Sequence, residues 1–215
     1  MPIVSVKEAI AAYKTGEVVI IVDDEDRENE GDLTIAADFV TPEMVNFFAK
    51  EGRGLVCCAL APEIIDRFHL PLMVPDQDNR SGFGTRFTVS VEAAEGVSTG
   101  ISAYDRAHTI RTLIDPKSTQ ADIVTPGHTF PLRGTEGGVL QRDGQTEACI
   151  DLAMLSGLTP AAMLCEVMND DGSMARLPDL EIFAEKHGLK IISVEAIQNY
   201  RRVSESEGAD LRAAG

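Results

Sequence analysis

The sequence predicts an α+β fold, a single domain with a mixed central β-sheet flanked by helices. Three observations carry that reading. Apolar runs of strand length, "EVVIIVD", "GLVCCAL" and "LKIISV", are separated by capped, amphipathic segments of helical period. The alternation is irregular and shows no repeat. No linker divides the chain, so the domain is expected to span 1–203, with the polar, small-residue segment 204–215 as a flexible tail.

The elements follow in order. Ser5 with Glu8 three residues later forms a capping box that opens a helix to about Lys14, closed by Gly16. "EVVIIVD" is a buried strand. Thr41, Pro42 and Glu43 supply an N-cap, a first-turn proline and a first-turn acid for the helix "MVNFFAKEG". "GLVCCAL" is a second buried strand, "PEIIDRF" a helix, and "LPLMVPDQDNRSGFGT" an irregular connection. "RFTVSVEAA" alternates and predicts a half-exposed strand. Ser102 caps the helical run that follows "TGIS". "GHTFPLRG" and "GGVL" read as short strands or turns. "TEACIDLAMLSG" is a helix and "TPAAMLCEVM" strand-like, "SMARLPDLEIFAEKHG" a helix stopped at Gly188, and "LKIISV" the last strand.

With 215 residues, 44% apolar and 25% charged, the chain has the composition of a globular protein able to bury a sizeable core. A formal charge of −16 disfavours nucleic acid and anionic membrane surfaces as partners. No apolar run approaches the roughly 20 residues a bilayer demands, and "MPIVSVKEAI" lacks the pattern of a signal peptide. Cys57, Cys58, Cys149 and Cys165 have no C-x-x-C spacing, which predicts free thiols in a reducing cytoplasm and no structural zinc. No glycine-rich phosphate loop or dinucleotide fingerprint is present.

Seven acids fall among the ten residues Asp23 to Asp32, directly after an apolar strand, with Arg27 among them. A charge run is commonly a solvated loop. Here it follows a strand end, where α/β proteins place sites. An EF-hand fails because Ala37 stands where the bidentate Glu belongs. A Mg²⁺ or Mn²⁺ site, in which one or two carboxylates share the ion with water and substrate oxygens, fits better. If the segment is extended, Glu28 and Glu30 share one side. The turn "RDGQT" precedes a helix, and a helix N-terminus with an Arg and a Thr nearby suits an anion. Glu166, between "AAMLC" and "VM", is a near-core acid suited to carrying a proton.

"DDEDRENEGDL", "FTVSVEAAEGVSTGISAYDR", "TPGHTFPLR", "GGVLQRDGQTEACIDL" and "LCEVMNDDGSMA" together resemble the 3,4-dihydroxy-2-butanone 4-phosphate synthases of riboflavin biosynthesis. The resemblance runs in order from about residue 3 to residue 202. It implies a lyase that converts D-ribulose 5-phosphate to formate and L-3,4-dihydroxy-2-butanone 4-phosphate, using Mg²⁺ (or Mn²⁺), two ions per site, in a cytoplasmic homodimer with its sites at the subunit interface. It also implies the single-function form, without a GTP cyclohydrolase II domain. Residue by residue, it makes Glu28 a metal ligand that also touches substrate, and puts Arg27 and Asp32 on the substrate. It gives His128, Glu166, Asp32 and Glu30 catalytic roles. Arg142, Asp143, Gly144, Gln145 and Thr146 become substrate contacts with Glu166, and Thr99 and Cys57 line the pocket. Cys57 reads equally well as a small core residue.

One position departs from the family pattern. Gln145 stands where Gly-His-Thr-Glu has its metal-binding histidine. An amide carbonyl ligates Mg²⁺ weakly and cannot titrate. This leaves an alternative expectation, a weakened or silent substrate-binding member, for instance a scaffold for another enzyme.

Overall fold

The computed structural model describes residues 2–213. Seven strands form one sheet in the order β4-β5-β3-β6-β2-β1-β7. In chain order the elements are α1 (Val6–Lys14), β1 (Val19–Val22), β2 (Gly31–Ala36), α2 (Pro42–Phe47), β3 (Cys57–Leu60), α3 (Pro62–Arg67) and β4 (Val91–Ala93). There follow α4 (Ala103–Ile114), β5 (Ile123–Arg133), α5 (Gln145–Leu155), β6 (Ala161–Glu166), α6 (Leu177–His187), β7 (Lys190–Ser193) and α7 (Val194–Ala213). The sheet is mixed: β1 pairs β2 antiparallel and β7 parallel, and β3 pairs β5 parallel and β6 antiparallel.

Side chains alternate across the strands, so each strand feeds two cores. Ile20, Leu33 and Ile35 join the core under α2, α3, α4 and α6, whereas Val19, Ile21 and Ala36 join the one under α1, α5 and α7. Every residue of β2 is buried, as expected of a central strand covered on both faces. Its one hydroxyl in the middle, Thr34, accepts from the buried Tyr13 Oη at 2.6 Å and donates to Val19 O at 2.8 Å, so neither polar group is stranded.

The caps appear where the residues announce them. Ser5 and Glu8 close the capping box of α1, Thr41 and Ser102 accept from the first turns of α2 and α4, and Gly188 ends α6 in the left-handed region. Several elements differ from expectation. "RFTVSVEAA" yields only the three-residue β4, because Phe87 and Thr88 make isolated bridges instead of continuing the ladder. "GHTFPLRG" belongs to an eleven-residue strand, β5. "SMAR" is not helical: α6 starts after Arg176, whose backbone N–H donates to the Asp179 carboxylate at 3.0 Å. The polar segment from 204 carries α7 on to Ala213, and 214–215 lie outside the described residues. All four cysteines are free and buried. Among the described residues no helix is long and apolar enough to cross a membrane.

Candidate active site

The acidic segment between β1 and β2 is a closed turn, not an extended run. Asp23, whose side chain is fully buried, accepts at one oxygen from Arg27 Nη1 (2.7 Å) and Glu28 N (3.0 Å), and at the other from Glu30 N (2.9 Å). Asn29 takes a positive φ of 54°, a conformation Asn tolerates better than most residues. Arg176, the residue that precedes α6, donates to the carbonyls of Glu28 (2.9 Å) and Asn29. One buried aspartate therefore gathers the turn, and the extended geometry that would align Glu28 with Glu30 is absent.

The turn meets the start of α5. Arg27 Nη1 also donates to Gln145 Oε1 at 3.0 Å, its Nη2 lies 3.2 Å from Glu28, and its Nε lies 3.6 Å from Asp143. Gln145, 5% exposed, is the first residue of α5, and its Nε2 has no partner among the described residues. Arg142 bonds through Nη1 to Glu147 (2.5 Å) and through Nη2 to Phe83 O (3.0 Å) and Thr85 Oγ1 (3.1 Å). Gly144 permits this approach, since a Cβ there would collide with Arg142 Nη1. Phe83 lies over Arg27, 5.1 Å from ring centroid to guanidinium carbon.

These groups surround a cavity of about 90 Å³ lined by Glu28, Asp32, Arg142, Gln145, Thr146 and Glu166, with an apolar wall that includes Leu55 and Cys57. Asp32 and Glu166 enter it from adjacent strands, as direct partners in the β2–β6 register. Burial, and then the Glu166 charge, push the Asp32 carboxyl well above the usual range. Burial also raises Glu28 and Glu30, Glu28 against the opposing pull of Arg27 and Glu30 with help from the Glu28 charge. Glu166 Oε2 accepts from Leu55 N at 2.8 Å. Burial, followed by Glu166 and Asp32, drives the Cys57 thiol well up, so it lines the wall as a neutral group.

The donor set suits a hard divalent cation. Crowded carboxylates with raised pKa values lose their mutual repulsion when a cation enters. Among the described residues no three His, Cys, Asp or Glu side chains form a preformed cage. Mg²⁺ is commonly bound by one or two carboxylates, with water and substrate oxygens completing the shell. Glu28 fits as that carboxylate. Gln145 fits less well, because its carbonyl already faces the Arg27 guanidinium.

Of the sequence candidates, Arg27, Glu30, Asp143 and Gly144 sit in the segments that carry the lining residues without lining the cavity themselves, and two more lie elsewhere. His128 on β5 and Thr99 before α4 are exposed and do not line this cavity; His128 Nδ1 instead contacts Glu92 on β4. Sequence reasoning missed Asp23, Glu147, Arg176, Phe83 and Glu92. Only Asp23 left a local trace, as an acid at a strand end able to accept from the amides of its own turn. A larger hollow of about 260 Å³ beside Arg201 holds Glu147 and Asp151, but both already have hydrogen-bond partners.

A one-sheet α+β domain with carboxylates and arginines around a polar cavity at strand ends is the frame of a small-molecule enzyme. The 3,4-dihydroxy-2-butanone 4-phosphate synthase family matches residues 7–200, and the chain belongs to that family. It is 54% identical over 201 residues to the 3,4-dihydroxy-2-butanone 4-phosphate synthase of Neisseria meningitidis, covering 94% of this chain and 55% of the relative. It is 53% identical to that of Pseudomonas aeruginosa, covering 95% and 56%. The chain thus spans about half the length of these curated relatives. Among solved structures, one of the synthase in complex with two magnesium ions superposes with a TM-score of 0.88 at 38% identity, covering 94% of this chain and 98% of that one. The Candida albicans enzyme gives 0.85 at 43%, covering 93% and 98%. The comparisons lend no support to a silent substrate-binding member.

Proposed function

We propose that this chain is a Mg²⁺-dependent lyase that converts D-ribulose 5-phosphate to formate and L-3,4-dihydroxy-2-butanone 4-phosphate in riboflavin biosynthesis. The observation that carries the reading is the junction of two distant segments in one cavity. Arg27 of the acidic turn is bonded to Gln145 at the N-terminus of α5 at 3.0 Å, in a chain of this family. The atoms of the substrate equal those of the two products, so the reaction consumes no water, oxidant or reductant.

Each group has a task. The N-terminus of α5, with Arg142 and the Asp143–Thr146 turn, receives the phosphate. Arg27 and Asp32 hold substrate oxygens. Glu28 holds the ion, and the relative solved with two magnesium ions supports Mg²⁺ as its identity; two ions per site, and Mn²⁺ as a substitute, belong to this reading. A bound divalent ion supplies Lewis-acid polarisation of the carbonyl and hydroxyl oxygens. Asp32 and Glu30, whose raised pKa values favour the protonated form, and Glu166, fixed by the Leu55 amide, move protons during enolisation and the carbon-skeleton shift. Cys57 and Leu55 exclude water from one wall.

The working unit is a homodimer with its sites at the interface, in a reducing cytoplasm. Exposed Ile101, Tyr104 and Val124 beside the Thr99 and His128 segments support an apolar contact face there. The second copy would then bring His128 and Thr99 to the cavity that this chain leaves without them. Purified protein with ribulose 5-phosphate and Mg²⁺ should release formate, and chelation should stop it. No formate at any Mg²⁺ concentration would reject the assignment.

A further inference from the structure

We propose that Glu92 is a positioning residue for His128, fixing the imidazole so that Nδ1 carries the proton and Nε2 is turned outward to the substrate. The inference rests on the proposed site role of His128 and extends it to a residue with no assigned part.

The first observation is the contact itself, between Glu92 Oε1 and His128 Nδ1 across β4 and β5. The acid is mostly sheltered and the ring is not, with side chains 16% and 48% exposed. A sheltered acceptor under a protruding imidazole leaves the far nitrogen as the reactive end. Which ring nitrogen holds the proton is set by the hydrogen bond at the other one.

The second observation is that the backbone is shaped around this carboxylate. The β4–β5 register breaks at Val91/Glu92: Val91 pairs with Thr129, but Glu92 pairs with Val124. The residues of β5 that bulge out include Gly127 and His128, and bulges re-aim side chains beside active sites. A Cβ at Gly127 would collide with the Val91 carbonyl and the Glu92 side chain, and one at Gly100 (φ +83°) would collide with the Glu92 carboxylate. Two glycines thus press against one acid.

The third observation is that the loop supplying Gly100 is pinned. Asp105 accepts from Ser98 Oγ (2.8 Å), Ser98 N (3.2 Å) and Gly100 N (3.0 Å). Thr99 sits between the two pinned residues. Glu92 therefore links two candidates that lie away from the cavity, Thr99 through Gly100 and His128 through its ring, as one exposed unit on the sheet edge.

The test reads the ring and the reaction separately. The ¹⁵N shifts of His128, assigned with His128→Asn and recorded at alkaline pH, should show Nδ1 protonated and Nε2 bare. In Glu92→Ala the tautomer should shift toward protonated Nε2, and kcat for formate release should fall about 10²-fold, the low end of what a proton-transfer group contributes, with KM within about twofold. Glu92→Gln retains a carbonyl acceptor for Nδ1–H and should recover most of both signals. It also guards against loss of folding in the alanine variant. Unchanged His128 shifts in Glu92→Ala, or kcat within about twofold of the parent, would overturn the proposal. If the parent releases no formate, the lyase reading fails, while the ¹⁵N shifts still decide whether Glu92 holds His128.

Discussion

Asp32 on β2 and Glu166 on β6 are direct cross-strand partners, so two carboxylates face one another at the floor of the cavity. Like charges so placed destabilise the sheet, and Asp32 is buried as well. Burial first, then Glu166, raises its pKa well above the ordinary value. A carboxyl whose folded pKa is raised contributes its full stability below the unfolded value, near ~3.9. That contribution is lost as pH rises through the folded value. Asp32→Asn removes the charge without changing size. At neutral pH without metal it should raise Tm by about 3–6 °C, equivalent to about 1–2 kcal/mol, and flatten the fall of stability with rising pH, while formate release is lost. An unchanged or lower Tm across that window would show that Asp32 carries no such penalty.

Metal should act on the same balance. A divalent cation that binds only the folded chain stabilises it by about 2.7 kcal/mol at one hundred times its Kd, which is several degrees in Tm for a chain of this size. Calorimetric unfolding with Mg²⁺ or Mn²⁺ should show that rise, and chelation should reverse it. Glu28→Gln, which keeps the size but removes the carboxylate charge, should lose most of it. An equal rise in parent and variant would place the ion away from Glu28.

Gln145 separates two roles in one side chain. Its carbonyl accepts from Arg27, and its Nε2, buried and without a partner among the described residues, is left for the substrate. A donor left unpaired in that position costs about 1–3 kcal/mol until a ligand satisfies it. Gln145→Glu keeps an acceptor for Arg27 and removes the donor. KM for ribulose 5-phosphate should rise about tenfold or more, in line with that range, while Mn²⁺ affinity, read by electron paramagnetic resonance, is not weakened. A KM equal to the parent's would show that Nε2 makes no substrate contact.

Much of the fold was legible because it rests on local chemistry. The caps at Ser5, Thr41, Ser102 and Gly188 are short-range devices that act within one helical turn. The strand β2 was missed because Gly31 and Asp32, poor strand formers, lead it, and burial on both faces erases its alternation. The helix α7 was missed because "SESEG" and the residues after it are polar, and polarity was read as fraying. The acidic turn and "RDGQT" stood out as charge and as pattern. Their supports did not. Glu147 and Arg176 act over tertiary contacts, and Glu92 meets His128 across 36 residues. Phe83 lies in a stretch that reads only as irregular.

The pair Arg142 and Glu147 should separate stability from activity. Glu147 is 1% exposed and bonds Arg142 Nη1 at 2.5 Å, while its other oxygen takes Thr135 N (3.1 Å) and Oγ1 (3.0 Å). Removing one partner of a buried pair leaves an uncompensated charge and costs about 3–5 kcal/mol. Glu147→Ala should therefore lower Tm by about 6–20 °C, at 2–4 °C per kcal/mol for a domain of this size. Glu147→Gln should help only in part, since an amide that accepts from Thr135 turns its own N–H groups toward Arg142, donor against donor. Arg142→Lys poses the opposite case. The ammonium can still pair with Glu147, but it lacks the planar fork that also reaches Phe83 O and Thr85 Oγ1. Its Tm should stay within about 3 °C of the parent, roughly 1 kcal/mol, whereas kcat/KM falls at least tenfold. If Arg142→Lys loses as much stability as Glu147→Ala and keeps its turnover, Arg142 is a structural strut and the phosphate binds elsewhere.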